Sequence, residues 1–144
     1  MTVEEFTQTY PAHVTFAVAW GEMDAFGHVN NTVFFRYFEN ARIALFASWP
    51  LDAVRTSRGL GPILAETRCR FRRPLTFPDQ VTVGARVTRI EADRAWIEHA
   101  IWSHSASVVA AVGEAVVVCF DYDAQKKAPW PDALREELAR RLEG

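Results

Sequence analysis

Nineteen consecutive residues, 31–49, read NTVFFRYFENARIALFASW. Phe34, Phe38, Ala41, Leu45 and Trp49 fall at steps of three or four, the spacing that lines one face of an α-helix. Phe35, Tyr37, Ile43 and Phe46 carry apolar character around the rest of the cylinder. A helix that is apolar on nearly every side belongs inside a domain, because no face of it gains by meeting water. Pro50 ends it, since proline offers no amide to the helical ladder. A chain of 144 residues has room for one such centre, so residues 1–144 are read as a single domain.

The material available to surround that helix is strand-like. Residues 13–20 alternate, with Val14, Phe16 and Val18 on one side. After a turn-rich connection at 51–62, four further segments read as strands: 63–71, 80–90, 95–103 and 108–122. Val81, Val83, Ala85 and Val87 share a face of the second of these, and the VVVCF run in the last is typical of a strand covered on both faces. Short polar turns at 91–94 and 103–107 suggest hairpins, so the four strands are expected to follow one another as a meander. Residues 131–142 carry Leu134, Leu138 and Leu142 as the stripe of a surface helix. The order predicts an α+β fold in which an antiparallel sheet wraps around one central helix. Such a sheet leaves edges to be paired, which predicts an oligomer.

Composition removes several functional classes. An apolar fraction of 49% with 24% charged residues is that of a soluble globular protein, and no apolar run is long enough to span a bilayer. A formal net charge of -2 argues against nucleic-acid binding. The start MTVEEFTQTY is acidic and polar, unlike a signal peptide, so the cytoplasm is the expected compartment. Cys69 and Cys119 sit in apolar strands with no ligand or disulfide spacing and are read as reduced core residues. No His, Cys or carboxylate set has metal-ligand spacing, no cofactor is implied, and no Gly-x-Ser-x-Gly elbow occurs.

Between the first strand and the apolar helix lies the loop WGEMDAFGHVNN, residues 20–31. It places an acid, an imidazole and two carboxamides at a helix N-terminus, where unpaired amides and the helix dipole favour negative charge. Two readings compete. Asp24 caps the loop or the helix, as aspartate often does; or Asp24 is the base or nucleophile of a reaction whose developing oxyanion is met by amides in the region Val29–Asn30–Asn31. Gly27 allows the tight turn either reading needs.

The motif Asp24-Ala-Phe-Gly-His-Val-Asn-Asn31, followed by Phe35-x-Tyr-Phe-Glu39 and Arg42, strongly resembles the hot-dog-fold acyl-CoA thioesterases of the 4-hydroxybenzoyl-CoA thioesterase family. The stretch FRRPLTFPDQVTV also looks like the family's segment that joins the strands after the helix. The resemblance runs over nearly the whole chain. It implies a five-stranded antiparallel sheet around one long helix, a homodimer or homotetramer, and an acyl-CoA pocket at the ends of the dimer interface. It further implies Asp24 as base or nucleophile, a supporting role for His28, and Val29 and Asn30 at the polarising helix end. Asn31 either caps the helix with Asn30 or positions water and the acyl chain, and Phe26 and Phe34 either line an aromatic or fatty-acyl pocket or belong to the core. Arg58, Arg70, Arg72 and Arg73 are the candidates for the phosphates of coenzyme A, since guanidinium forks match phosphate. Glu22 reads as solvated, Glu39 with Arg42 as a structural ion pair, His99 as packed and His104 as exposed. The rivals are hydrolysis of acyl-carrier-protein thioesters, a hot-dog dehydratase, for which the long histidine-containing signatures are missing, and a non-catalytic acyl-binding module.

Overall fold

The computed structural model describes residues 1–49 and 59–143. Its elements are α1 (Val3–Thr9), β1 (Ala12–Ala17), α2 (Asn31–Ala47), β2 (Leu60–Phe71), β3 (Gln80–Ile90), β4 (Arg94–Ser103), β5 (Val108–Asp121), the two-residue β6 (Lys126–Lys127) and α3 (Asp132–Glu143). The five long strands form one antiparallel sheet in the order β1-β3-β4-β5-β2, with β6 on β5. The sheet curls around α2, which is the hot-dog arrangement.

The expected meander holds only for β3, β4 and β5. β2 instead pairs with β5 at the far edge, from Leu60 opposite Asp121 to Phe71 opposite Ala111. The cause lies in the segment after β2. It crosses under the start of α2, where the Val29 amide donates to the Leu75 carbonyl at 2.8 Å, so that β3 begins beside β1.

α2 buries Phe34, Tyr37, Phe38, Ala41, Arg42 and Leu45. Their partners on the concave face include Val81, Val83, Ala85, Ile97, Ile101 and Ala111. Close approach requires small residues beneath the larger rings: a Cβ on Gly113 would lie 2.3 Å from the Phe38 ring. On the opposite face of the sheet, α1 lays Phe6 and Tyr10 over Ala100 and Trp102. This helix escaped the sequence reading because one aromatic in a polar heptapeptide gives no periodic signal.

Two expectations about α2 need correcting. Its burial is one-sided in the single chain: Arg36, Glu39, Asn40, Ile43 and Ala47 form an exposed stripe, and Ile43 is 58% accessible. The helix packs on β1, β3 and β4 and much less on β2, which leaves that stripe uncovered. Arg42, moreover, does not close an ion pair with Glu39. Its guanidinium donates to His99 Nε2 at 3.3 Å, and His99 is stacked on Phe38. His104 is half-buried and meets the Thr82 hydroxyl at 2.7 Å. No described helix is long and apolar enough to cross a membrane.

Candidate active site

The polar loop is built outward from β1. The Val18 amide donates to the Asp79 carbonyl, and a 3-10 turn at Trp20–Glu22 follows. Met23 and Val29 then form an antiparallel bridge that closes off residues 24–28. Inside this closure the Asp24 amide donates to the His28 carbonyl at 2.7 Å and the Gly27 amide to the Asp24 carbonyl at 3.1 Å. Gly27 has φ +79, a left-handed conformation that a side chain would disfavour. The Asp24 carboxylate accepts the amides of Phe26 (2.8 Å) and His28 (3.3 Å) through Oδ1. Its second oxygen has no hydrogen bond among the described residues, and the side chain is exposed in the single chain.

Most amides at the helix start are already paired. The Val29 amide is committed to Leu75, and the Asn30 amide donates to the Glu22 carbonyl at 2.9 Å. Asn30 is the N-cap: its Oδ1 accepts the Thr32 amide at 3.0 Å and the Thr32 hydroxyl at 2.9 Å. The Val33 amide donates to the Asn30 carbonyl. Among the described residues only Asn31, of these five, keeps an amide without an acceptor. Val29 and Asn30 therefore do not offer free donors, contrary to the sequence expectation; they build the end of the helix instead.

Asn31 opens into a shallow pocket of about 260 Å³ lined also by Val29, Phe34, Phe71, Arg72, Arg73 and Pro74. The floor is aromatic, with Phe34 and Phe71 edge to face at 5.0 Å and Phe35 beyond at 6.5 Å from Phe71. A second recess of about 310 Å³ adjoins it, holding Arg68, Arg70 and Arg72 with Glu98 and Glu114. Arg72 lines both. The structure thus brings together Asn31, Phe34, Arg72 and Arg73, places Arg70 next door, and leaves Asp24, Phe26 and His28 on the exposed loop outside the lining. Arg58 lies outside the described residues. A larger recess, about 1000 Å³, lies near the other end of α2 beside Leu45, Ser48 and Arg141; no carboxylate lines it.

Sequence reasoning missed the role of Glu22. Rather than being solvated, its Oε1 accepts the Tyr37 hydroxyl at 2.6 Å and the Ala19 amide at 2.8 Å. The available signal was Tyr37 itself, a hydroxyl inside a stripe of phenylalanines that has to find an acceptor when buried. Among the described residues, no three His, Cys, Asp or Glu side chains are grouped to hold a metal ion.

Residues 18–138 match the family described as the thioesterase-like superfamily. The chain belongs to that superfamily. Among solved structures, a thioesterase from Thermus thermophilus complexed with coenzyme A and Zn is 29% identical, with a TM-score of 0.78 over 94% of this chain and 97% of that one. Among curated proteins, the long-chain acyl-CoA thioesterase FadM of Escherichia coli is 22% identical over 116 residues, 81% of this chain and 88% of that protein. The chloroplastic acyl-acyl carrier protein thioesterase ATL3 of Arabidopsis thaliana is 30% identical over 82 residues, 56% of this chain but 43% of that protein.

Proposed function

We propose that this superfamily member hydrolyses acyl-CoA thioesters at the start of α2. The observation that carries the reading is that Asn31, whose amide has no acceptor among the described residues, stands at a helix N-terminus and lines a pocket that also holds Phe34, Phe71, Arg72 and Arg73. A thioester carbonyl hydrogen-bonded there would have its developing oxyanion met by an amide and the positive end of the helix dipole. The acyl group would rest on Phe34 and Phe71, and Arg70, Arg72 and Arg73 would hold the phosphates of coenzyme A.

Asp24 supplies the other half, with His28 supporting the loop. Acting as base, its free oxygen takes a proton from water as the water oxygen bonds to the carbonyl carbon. Collapse of the tetrahedral species breaks the C–S bond, and the thiolate takes up a proton as it leaves. Acting as nucleophile, the same oxygen bonds to the carbonyl carbon and the C–S bond breaks, releasing the thiolate and leaving a mixed anhydride; water then opens the anhydride, giving the carboxylic acid and restoring Asp24. The exposure of Asp24 in one chain is the reason we include a second copy. β2 is an edge strand bare on both faces along most of its length; it exposes Ile63, Leu64 and Phe71, and α2 exposes Ile43. A homodimer, or a pair of dimers, would cover this face and narrow the space in front of Asp24.

The test is turnover across a panel of acyl-CoAs, repeated with the same acyl groups on acyl-carrier protein. In Asp24→Asn we expect kcat to fall by about a hundredfold or more with KM nearly kept. Unchanged kcat would falsify the assignment of Asp24. A second reading, a non-catalytic acyl-binding protein, draws support from the absence of Asp24 from the pocket lining. Acyl-CoA binding by the wild type without any turnover would select it.

A further inference from the structure

We propose that Glu22 and Tyr37 form a positioning brace that fixes the Asp24 loop against the start of α2, and with it the gap between the carboxylate and the Asn31 amide; this rests on the hydrolase reading above. Glu22 joins three pieces of chain at once. Its carboxylate holds the Ala19 amide at the entrance of the loop and the Tyr37 hydroxyl in the second turn of the helix. Its carbonyl holds the Asn30 amide at the N-cap. Asp24 follows Glu22 by two residues and Asn31 follows Asn30 by one, so a shift of Glu22 moves both halves of the proposed site.

Tyr37 is the fixed end of the brace. It is 2% exposed and packs edge to face on Phe16 of β1 at 4.9 Å, so its ring has no freedom to follow a displaced loop. Burial, and then the hydrogen bond to Glu22, push its phenol well above the ordinary range, which keeps it an O–H donor at any working pH. Neither residue lines the pocket around Asn31, so neither is placed to touch the substrate. Their effect on the reaction would be on geometry alone, where a small misplacement costs rate rather than binding.

The brace makes a pattern of effects that neither a structural nor a chemical role reproduces. Tyr37→Phe and Glu22→Ala each lose the bridging bond; we expect kcat to fall about tenfold with KM changed by less than about twofold. Glu22→Gln keeps an acceptor oxygen for both donors and is expected to stay within about twofold of wild type. The double variant Glu22→Ala/Tyr37→Phe is expected to be no worse than Glu22→Ala, because both remove one unit. In parallel, amide exchange at Asn30 should quicken in Tyr37→Phe and Glu22→Ala while thermal denaturation confirms that each is folded. A Tyr37→Phe enzyme with wild-type kcat overturns the brace, as does a Glu22→Gln enzyme as impaired as Glu22→Ala, which would make the charge rather than the geometry decisive. If the wild type hydrolyses no thioester, the hydrolase reading fails by itself. The exchange measurement then decides the brace: faster exchange at Asn30 supports it and unaltered exchange overturns it.

Discussion

His99 is an ionisable group that the fold keeps from ionising. Burial, and then the neighbouring Arg42 guanidinium, pull its pKa down from 6.5 to about 3. A guanidinium can only donate, so Nε2 accepts and the ring proton sits on Nδ1, which has no partner among the described residues. The unfolded chain binds a proton near pH 6.5 that the folded chain refuses. Stability is therefore highest above that pH and declines as the pH falls toward about 3, by up to about 1.4 kcal/mol per pH unit for one proton. Asp79 adds a separate loss at more acid pH. Burial would raise its pKa, but the hydrogen bonds from Ser103 and Ser105 outweigh this and lower it, so its contribution disappears only as the pH drops through the carboxylate range. Denaturant titrations between pH 7 and 5 should show the histidine slope in wild type and a flatter line in His99→Gln; equal slopes would remove His99 as the cause. The packed position of this histidine was legible from its place in an apolar strand. Its partner was not, because Glu39, three residues before Arg42 on the same helix, is the sequence-local candidate, whereas the actual contact spans 57 residues.

At the scale of elements, α2 and the long strands were legible because periodicity records which side of an element is covered. Pairing order was not. Alternation in β2 says nothing of which strand lies alongside, and the crossing under α2 that sends β2 to β5 is made by single contacts such as Val29 to Leu75. The start of α2 shows the same division. The asparagine pair announced a cap, but only the hydrogen bonds separate Asn30, which caps, from Asn31, whose amide has no acceptor among the described residues. Removing the cap should therefore cost both stability and function. Asn30→Ala is expected to lose about 1 kcal/mol in chemical denaturation, the usual value for an N-cap. It should also lower kcat, since a frayed first turn no longer holds the Asn31 amide in place. A variant that loses the stability and keeps full kcat would separate the cap from the site.

At the scale of the whole molecule, the single chain leaves apolar side chains bare along β2, an edge strand that a second copy would cover. Ile63 and Leu64 on β2 and Ile43 on α2 are each more than 40% exposed, on a long strand of the kind that soluble proteins otherwise shorten, charge or cover. The stripe on α2 carries Arg36 and Glu39 beside Ile43, so a two-fold pairing that runs two such stripes antiparallel can set opposite charges against each other. A stable interface needs about 800 Å² from each partner, more than these three side chains alone expose, so the expected pairing would draw on the β2 edge and the helix stripe together. Sedimentation of the wild type should accordingly give a mass of about twice 16.3 kDa or a multiple of it. Ile43→Glu combined with Leu64→Lys places charges at the two centres of the contact and should give a folded single chain. If the second copy narrows the space in front of Asp24, that single chain loses thioester turnover although every residue of the proposed site is intact. Full turnover by the monomeric variant would instead mean that one chain closes its own site, and the exposed carboxylate would need another explanation.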